Sequence, residues 1–154
     1  MKITGAQALI KTLEKEGVEV IFGYPGGVVL TGIANAYMDS IPIVAFTGQV
    51  ATTVIGTDAF QEADITGITM PITKHNFLVK DVKQLPMIVR QAFELARSGR
   101  PGPLLIDIPV DISRAEFEYK YPEEVRLPGY KPTYKGHAKQ IKQAAKAIAA
   151  AKKP

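Results

Sequence analysis

The sequence contains no cysteine and no tryptophan, and only two of its 154 residues are histidines. The lack of cysteine excludes disulfide bonds and thiolate metal sites, and it fits a reducing compartment. His75 and His137 lie far apart in the sequence and in different predicted elements, which argues against a histidine-based metal site. No apolar run approaches the roughly 20 residues of a membrane-spanning helix. The first residues lack the pattern of a signal peptide, so a cytoplasmic protein is expected.

Charge is distributed unevenly along the chain, whose net charge is +4. Residues 1–119 carry 10 basic and 13 acidic side chains, whereas residues 120–154 carry 9 basic and 2 acidic ones. The tail includes four lysines at helical spacing: Lys135, Lys139, Lys142 and Lys146. A nucleic acid or a membrane surface could use such a stripe, but the helix has no aromatic residue, which favours a solvated face. Neither partner is therefore expected.

Helix and strand signals alternate along the first 110 residues. Thr4 and Gln7 have the spacing of a capping box, which predicts a helix over residues 5–16. A short helix is predicted over 31–40 and a long amphipathic one over 85–96, the latter opened by a capping-box pattern at Asp81. A further short helix could begin at Asp58. Four apolar or apolar-tending runs predict strands, at residues 18–22, 41–46, 73–79 and 104–108.

This alternation predicts an α/β fold, a doubly wound parallel sheet with helices on both faces. The predicted domain covers residues 1–115. A segment rich in proline and tyrosine follows at 116–135, and its lack of any sustained period indicates a linker. Residues 136–154 then form a Lys/Ala helix with a thin apolar stripe, which suggests the first helix of a following central domain.

Two loops are candidates for function, because ligands of open α/β sheets gather beyond the carboxyl ends of strands. The first, Gly23 to Gly27, combines one proline with glycines that allow a backbone to approach a ligand closely. The second follows the 41–46 strand at Thr47-Gly48-Gln49 and continues through residue 62. An ordinary tight turn and a capped strand end would explain the same residues.

Four stretches together closely resemble one enzyme family. They are GVEVIFGYPGG (17–27), TGIANAYMDSIPIVAFTGQV (31–50), IGTDAFQEADITGITMPITKHNFLV (55–79) and SGRPGPLLIDIP (98–109). Together they resemble the N-terminal, pyrimidine-binding domain of the catalytic subunit of acetolactate synthase. Related thiamine enzymes share the GYPGG-type loop and the SGRPGP-type turn, whereas DAFQE with TKH narrows the match to this family.

The resemblance implies a thiamine-diphosphate-dependent enzyme that condenses two pyruvates, or pyruvate and 2-oxobutyrate, with loss of CO2 in branched-chain amino acid biosynthesis. Its implied cofactors are thiamine diphosphate, Mg²⁺ held by another domain, and FAD. The implied assembly is a homodimer or homotetramer, with a possible regulatory small subunit.

The resemblance also assigns roles to individual residues. Tyr24, Pro25 and Gly26 would bind the thiamine cofactor, Gln49 would bind near the cofactors, and Arg100 would contact FAD. Phe60, Gln61 and Lys74 would line the substrate entry. By composition alone, the plainer readings are a strand-end lysine for Lys74, a core residue for Phe60 and a helix C-terminal cation for Arg100.

The family pattern is interrupted between Leu30 and Thr31. There the family has several tens of additional residues, including the catalytic glutamate, and no glutamate of this chain stands in that motif. No catalytic residue and no metal ligand can therefore be assigned. The sequence either joins two segments that a longer protein separates or carries a true deletion. The alternatives for function are another thiamine-dependent 2-oxo acid carboligase or decarboxylase, and a truncated, non-catalytic interaction domain.

Overall fold

The computed structural model describes residues 1–23 and 29–153, and strand β4 lies at the centre of its larger sheet. The three-stranded sheet is parallel in the order β2-β4-β3, and a two-stranded antiparallel sheet pairs β1 with β5. The strands are β1 Lys2–Thr4, β2 Val44–Gln49, β3 His75–Leu78, β4 Leu104–Pro109 and β5 Glu116–Glu118. The helices are α1 Gly5–Lys15, α2 Val29–Met38, α3 Ile65–Thr69, α4 Leu85–Arg97, α5 Val110–Arg114 and α6 Ala138–Ala150.

Helices cover both faces of the parallel sheet. On β4, Leu104 and Ile106 belong to the core that includes α1 and α4, whereas the equally buried Leu105 points to the opposite face. Asn76 is level with Leu105 in the neighbouring strand, and its amide donates to the carbonyl oxygen of Thr66 in α3 at 2.8 Å. The expected α/β fold with a parallel sheet and flanking helices is therefore confirmed.

The predicted helices match α1 and α4, but the capping box expected at Asp81 does not form: Asp81 accepts from Lys83 N and caps the 3-10 turn Val82–Gln84 that precedes α4. Thr4 caps α1 by accepting from Gln7 N, and the Gln7 side chain accepts from Thr4 N in return, as the capping box predicts. Gly5 allows α1 to approach α5, because a Cβ atom there would lie 2.1 Å from the carbonyl oxygen of Ile112. In α4, Pro86 lies in the first turn, where its missing N–H is not needed.

Two sequence-based predictions are wrong. Residues 18–22 form no strand, and Phe22 is 92% exposed, because no neighbouring strand in the described part of the chain pairs with this apolar run. The helix expected at Asp58 is also missing. Asp58 and Gln61 have φ values of 57° and 60°, which a right-handed helix does not allow, and the helix instead begins at Ile65 with Asp64 as its cap.

Strand β2 lies three residues further along than the predicted strand over 41–46. Thr47 and Gln49, whose polarity suggested a strand end, lie within it. Both side chains donate to Asp107 on β4, at 2.8 Å and 3.1 Å, so their polar atoms have partners inside the sheet. Ordered packing also continues beyond residue 115, because β5 pairs with β1 and Phe117 is buried. The predicted division into domain, linker and following domain stays a prediction.

An ion pair beneath residues 119–126 attaches this segment to the core. Arg90 Nε on α4 lies 2.9 Å from Glu16 Oε1 after α1, and both side chains are largely buried. Tyr121 donates to the same carboxylate oxygen at 3.1 Å, and its ring lies 4.9 Å from the Arg90 guanidinium carbon. Burial and the neighbouring Glu16 raise the pKa of the Tyr121 hydroxyl. Arg90 also donates to the backbone carbonyls of Pro122 and Glu123.

Arg90→Ala should lower the free energy of unfolding by about 3 kcal/mol, because it leaves the buried Glu16 carboxylate without its cation. Arg97→Ala on the same helix removes only an exposed pair with Glu94, and it should change stability by less than about 0.5 kcal/mol. Urea unfolding of the two variants measures the difference. Equal losses in the two variants would show that the buried pair adds nothing.

Candidate functional site

A groove of about 670 Å³ opens at the carboxyl end of β2. Three of the predicted site residues line it: Gln49 at the end of β2, and Phe60 and Gln61 on the loop between β2 and α3. Phe46 and Leu9 add apolar surface, so the groove combines apolar walls with the two amides of Gln49 and Gln61. This position agrees with the rule that ligands of parallel sheets bind beyond the carboxyl ends of strands.

The amide of Gln49 is held by several partners. Its Nε2 donates to the carbonyl oxygen of Ala63 at 2.8 Å and to Asp107 Oδ2 at 3.1 Å, and its Oε1 accepts from Val50 N at 2.9 Å. Both amide hydrogens and the amide oxygen are therefore used within the chain. Gln49 links the two strands and the loop in front of α3, and any ligand must bind beside this network or replace part of it.

Asp107 organises this edge of the sheet, although it was not among the predicted site residues. It is 1% exposed, and burial is the main reason why the pKa of its carboxyl is raised, while hydrogen bonds from Thr47 and Gln49 act in the opposite direction. The signal was present in the sequence, because an aspartate in the middle of the apolar run LLIDIP must find buried donors or lose its charge.

Two further carboxylates hold the loop that carries Phe60 and Gln61. Asp111 accepts from both the backbone N–H and the hydroxyl of Thr52, and these bonds lower the pKa of its carboxyl. Glu62 accepts from the backbone N–H groups of Gly56 and Ala59, which likewise lowers the pKa of its carboxyl. These hydrogen bonds thus fix the loop, while Phe60 remains 89% exposed at the rim of the groove.

Two further predicted site residues, Lys74 and Arg100, lie in a second groove of about 520 Å³. Lys74 precedes β3, and its backbone N–H donates to the carbonyl oxygen of Pro103 at 2.7 Å, directly before β4. This places it at the amino edge of the parallel sheet. Since β4 advances about 3.3 Å per residue from Leu104 to Pro109, the two edges are about 17 Å apart. Lys74 and Arg100 therefore do not share a groove with Gln49, Phe60 and Gln61.

The ammonium group of Lys74 serves the fold. It donates to the carbonyl oxygens of Leu95 and Ser98 at the end of α4, and to the Tyr130 hydroxyl at 3.1 Å. A cation at this position complements the helix dipole and satisfies carbonyls that have no partner within the helix. All three ammonium hydrogens are engaged within the chain. The role of Lys74 in substrate binding stays a prediction, and a substrate would have to compete with these structural contacts.

Arg100 is more accessible to a ligand. Its Nε donates to the Ser40 hydroxyl at 2.9 Å, and its guanidinium carbon lies 5.9 Å from the Tyr37 ring centroid. Tyr134 and Pro132 from the segment after β5 complete the same groove. A planar cation among aromatic rings suits a phosphate or a flat heterocycle. The predicted contacts of Tyr24, Pro25 and Gly26 lie outside the described residues.

The described residues contain no group of three or more acidic or histidine side chains that could hold a metal ion. A search of the same residues for a helix long and apolar enough to cross a membrane also finds none. The fold and the two grooves thus define an α/β domain with a ligand-sized opening at each edge of its parallel sheet.

Comparison with known proteins identifies the relatives of this domain. No protein-family model matches the chain. Acetolactate synthase of Mycobacterium bovis and the acetolactate synthase large subunit IlvB1 of Mycobacterium tuberculosis are each 44% identical to it over 205 residues, which cover 99% of the chain. A probable acetolactate synthase large subunit of Methanocaldococcus jannaschii is 43% identical over 97% of the chain. The resemblance to acetolactate synthase large subunits is therefore confirmed.

The chain spans about a third of the length of these relatives, 33% for both mycobacterial proteins. The match extends over 205 residues, whereas the chain has only 154. About fifty positions of the relatives consequently have no counterpart here. Helix α2 passes through Leu30 and Thr31 without a break, so the described structure gives no local sign of a missing segment.

The raised pKa of Asp107 predicts a pH-dependent contribution to stability. Folding favours the protonated carboxyl, so the stability it adds is present below the ordinary aspartate range and is lost as pH rises through the raised pKa. Asp107→Asn lacks this titration. Between about pH 3 and about pH 7 the free energy of unfolding of the variant should therefore rise relative to that of the parent. Urea unfolding across that range tests this. A difference that does not change with pH would contradict it.

The role of Lys74 can be tested without any ligand. Lys74→Met should lower the free energy of unfolding of the chain by about 2 kcal/mol, because charged hydrogen bonds to the end of α4 are lost. Lys80→Met replaces an exposed lysine just after β3, and it should stay within about 0.5 kcal/mol of the parent. If both variants unfold at the same urea concentration, Lys74 does not cap the helix and its ammonium is available to a substrate.

Proposed function

We propose that this chain supplies the thiamine-diphosphate pyrimidine-binding domain of an acetolactate synthase. The whole enzyme would condense two pyruvates, or pyruvate and 2-oxobutyrate, with loss of CO2, the first common step of branched-chain amino acid biosynthesis. One observation carries the proposal: identities of 40–44% extend over nearly the entire chain in relatives with this name. The parallel sheet and the groove at its carboxyl edge support it.

The groove at the carboxyl edge fits the aminopyrimidine of thiamine diphosphate in size and character. Phe46 and Phe60 offer apolar surface to a flat ring, and Gln49 offers an amide whose orientation is already set by Asp107. Tyr24, Pro25 and Gly26 would complete this contact. When bound, thiamine diphosphate supplies the nucleophilic carbon that attacks a 2-oxo acid. The residues of this chain would orient the ring.

The other groups would bind elsewhere. Arg100 would hold FAD at the amino edge, where this exposed residue has its guanidinium near Tyr37, while Mg²⁺ would be bound by a domain outside this sequence. Phe60 and Gln61 would border the substrate entry, with Lys74 as a further substrate contact. The enzyme would work in the cytoplasm as a homodimer or homotetramer, with a possible regulatory small subunit.

The chain alone should be inactive. Proton transfer to the cofactor requires a positioned acid, and no glutamate of this chain has the sequence context of the family's catalytic residue. The nearest carboxylates do not replace it, because Asp107 is buried and Glu62 is bound to the backbone of its own loop. The absence of the segment that carries this glutamate in the family favours the second candidate, a non-catalytic interaction domain. Another thiamine-dependent carboligase or decarboxylase is the third.

A chimera tests the proposed activity. This chain, with the fifty or so unmatched positions restored between Leu30 and Thr31, replaces the matching third of the M. tuberculosis large subunit. Acetolactate should then form from pyruvate only in the presence of thiamine diphosphate and Mg²⁺, and the chimera without the restored positions should form none.

The products separate the alternatives. Acetaldehyde in place of acetolactate would assign the domain to a decarboxylase. A restored chimera that folds and binds thiamine diphosphate but releases no CO2 would instead support the non-catalytic interaction domain. Within the active chimera, Gln49→Ala should raise the thiamine diphosphate concentration needed for half-maximal rate about tenfold. An effect of this size is expected when the cofactor loses about one hydrogen bond to the Gln49 amide.

A further inference from the structure

The loop between β2 and α3 presents Phe60 without packing it. Phe60 is 89% exposed, although it lines the groove at the carboxyl edge of the sheet together with Gln61. A buried aromatic ring is held in place by the side chains around it, whereas an exposed ring is not. The position of Phe60 therefore depends on the conformation of the backbone that carries it.

The backbone of this loop has an uncommon conformation. Gly56, Asp58 and Gln61 have φ values of 85°, 57° and 60°, so three positions close together lie in the left-handed region. Glycine and aspartate adopt this region more readily than glutamine does. Such a conformation persists only where the surrounding contacts hold it, so the loop needs a restraint close to Gln61.

Two short turns make up the tip of the loop. In the first, Thr57 N donates to the carbonyl oxygen of Val54 at 3.2 Å. In the second, Glu62 N donates to the carbonyl oxygen of Ala59 at 2.9 Å. The carboxylate of Glu62 joins the two turns, because its Oε1 accepts from Gly56 N and its Oε2 accepts from Ala59 N at 2.9 Å. One side chain thus bridges both halves of the tip.

The two ends of the loop are held by other residues. Asp111 on α5 accepts from the backbone N–H and the hydroxyl of Thr52. At the other end, Gln49 Nε2 donates to the carbonyl oxygen of Ala63 at 2.8 Å. These contacts do not use the Glu62 side chain. Loss of the Glu62 carboxylate should therefore release the tip while both ends of the loop stay attached to the sheet.

We propose that Glu62 is a positioning residue, whose carboxylate fixes Phe60 and Gln61 at the mouth of the groove at the carboxyl edge. The restraint is in place before a ligand arrives, so a ligand that touches these two side chains binds with less loss of conformational entropy. Positioning is a property of the chain itself, whereas its consequence for pyruvate rests on the proposed function.

Nuclear magnetic relaxation of the 154-residue chain tests the positioning directly. In the parent, the backbone amide order parameters of Phe60 and Gln61 should be about 0.85, and Glu62→Ala should lower them below about 0.6. Glu62→Gln keeps one oxygen as an acceptor and should give intermediate values. Parent values in Glu62→Ala would overturn the proposal.

Asp58→Asn provides the matched control for charge. It removes a carboxylate from the same exposed tip, and asparagine also tolerates the positive φ of this position. The order parameters of this variant should therefore match those of the parent. An equal loss of order in Asp58→Asn and Glu62→Ala would assign the effect to charge and would contradict a bridging role of Glu62.

Kinetics of the restored chimera separate positioning from a merely structural role. Glu62→Ala should raise the KM for pyruvate about tenfold and leave kcat within about threefold, because contacts at the entry contribute to substrate binding. A merely structural role would reduce the amount of active protein, which lowers the apparent kcat at an unchanged KM. That result would refute the proposal.

A double variant of the same chimera shows whether Glu62 acts through Phe60. In that case Glu62→Ala adds little to Phe60→Ala, and the KM of the double variant stays close to the larger of the two single effects. Effects on KM that multiply would show independent action and would contradict the proposal. A restored parent chimera that forms no acetolactate would count against the proposed function alone, and the order parameters then decide the positioning role.

Discussion

The pairing of β4 with a strand on each side is the constraint on which the rest of the structure depends. β4 lies between β2 and β3, and its leucine and isoleucine side chains, 104 to 106, are completely buried. Its one charged residue, Asp107, is tolerated there because Thr47 and Gln49 donate to it from β2. The same three side chains set the register of β2 and shape the groove at the carboxyl edge. The packing of β2 on β4 and the shape of this groove therefore depend on one set of contacts.

Polar residues at both edges of the sheet perform structural work that competes with ligand binding. Gln49 uses its whole amide to tie β2 to β4 and to the loop before α3, and Lys74 uses its ammonium to cap α4. A polar group held by neighbours can still bind a ligand, and it then does so with little loss of conformational entropy. Gln49 satisfies this condition beside an open groove. Lys74 does so only if the Tyr130 contact is exchanged for a ligand.

Local signals were sufficient where a segment's structure is decided by its own residues. The capping box at Thr4 and the periodicity of α4 correctly predict two helices, and the apolar run at 104–108 correctly predicts β4. The errors occurred where the structure of a segment depends on a residue that lies far away in the sequence. The extension of β2 through Gln49 depends on Asp107, which lies 58 residues further along the chain. Motif resemblance predicts a substrate-entry role for both Lys74 and Phe60, and these roles stay a prediction, since the fold places the two residues at opposite edges of the sheet.

The run 18–22 is a different kind of failure, since its residues have the composition of a buried strand and only the neighbour is missing. The rest of the fold tolerates this because its two ends close on each other. Lys2 to Thr4 pair with Glu116 to Glu118, and Gly5 N donates to the carbonyl oxygen of Ala115 at 2.9 Å.

Helix α1 then packs on α4, and the buried pair of Glu16 with Arg90 joins them. None of these contacts involves residues 18–43. The part of the domain built on α1, α4 and β4 therefore has its own hydrophobic core, and residues 20–22 can stay exposed without unfolding it. The contacts that join the two ends of the domain account for its stability, and they do not depend on the exposed run.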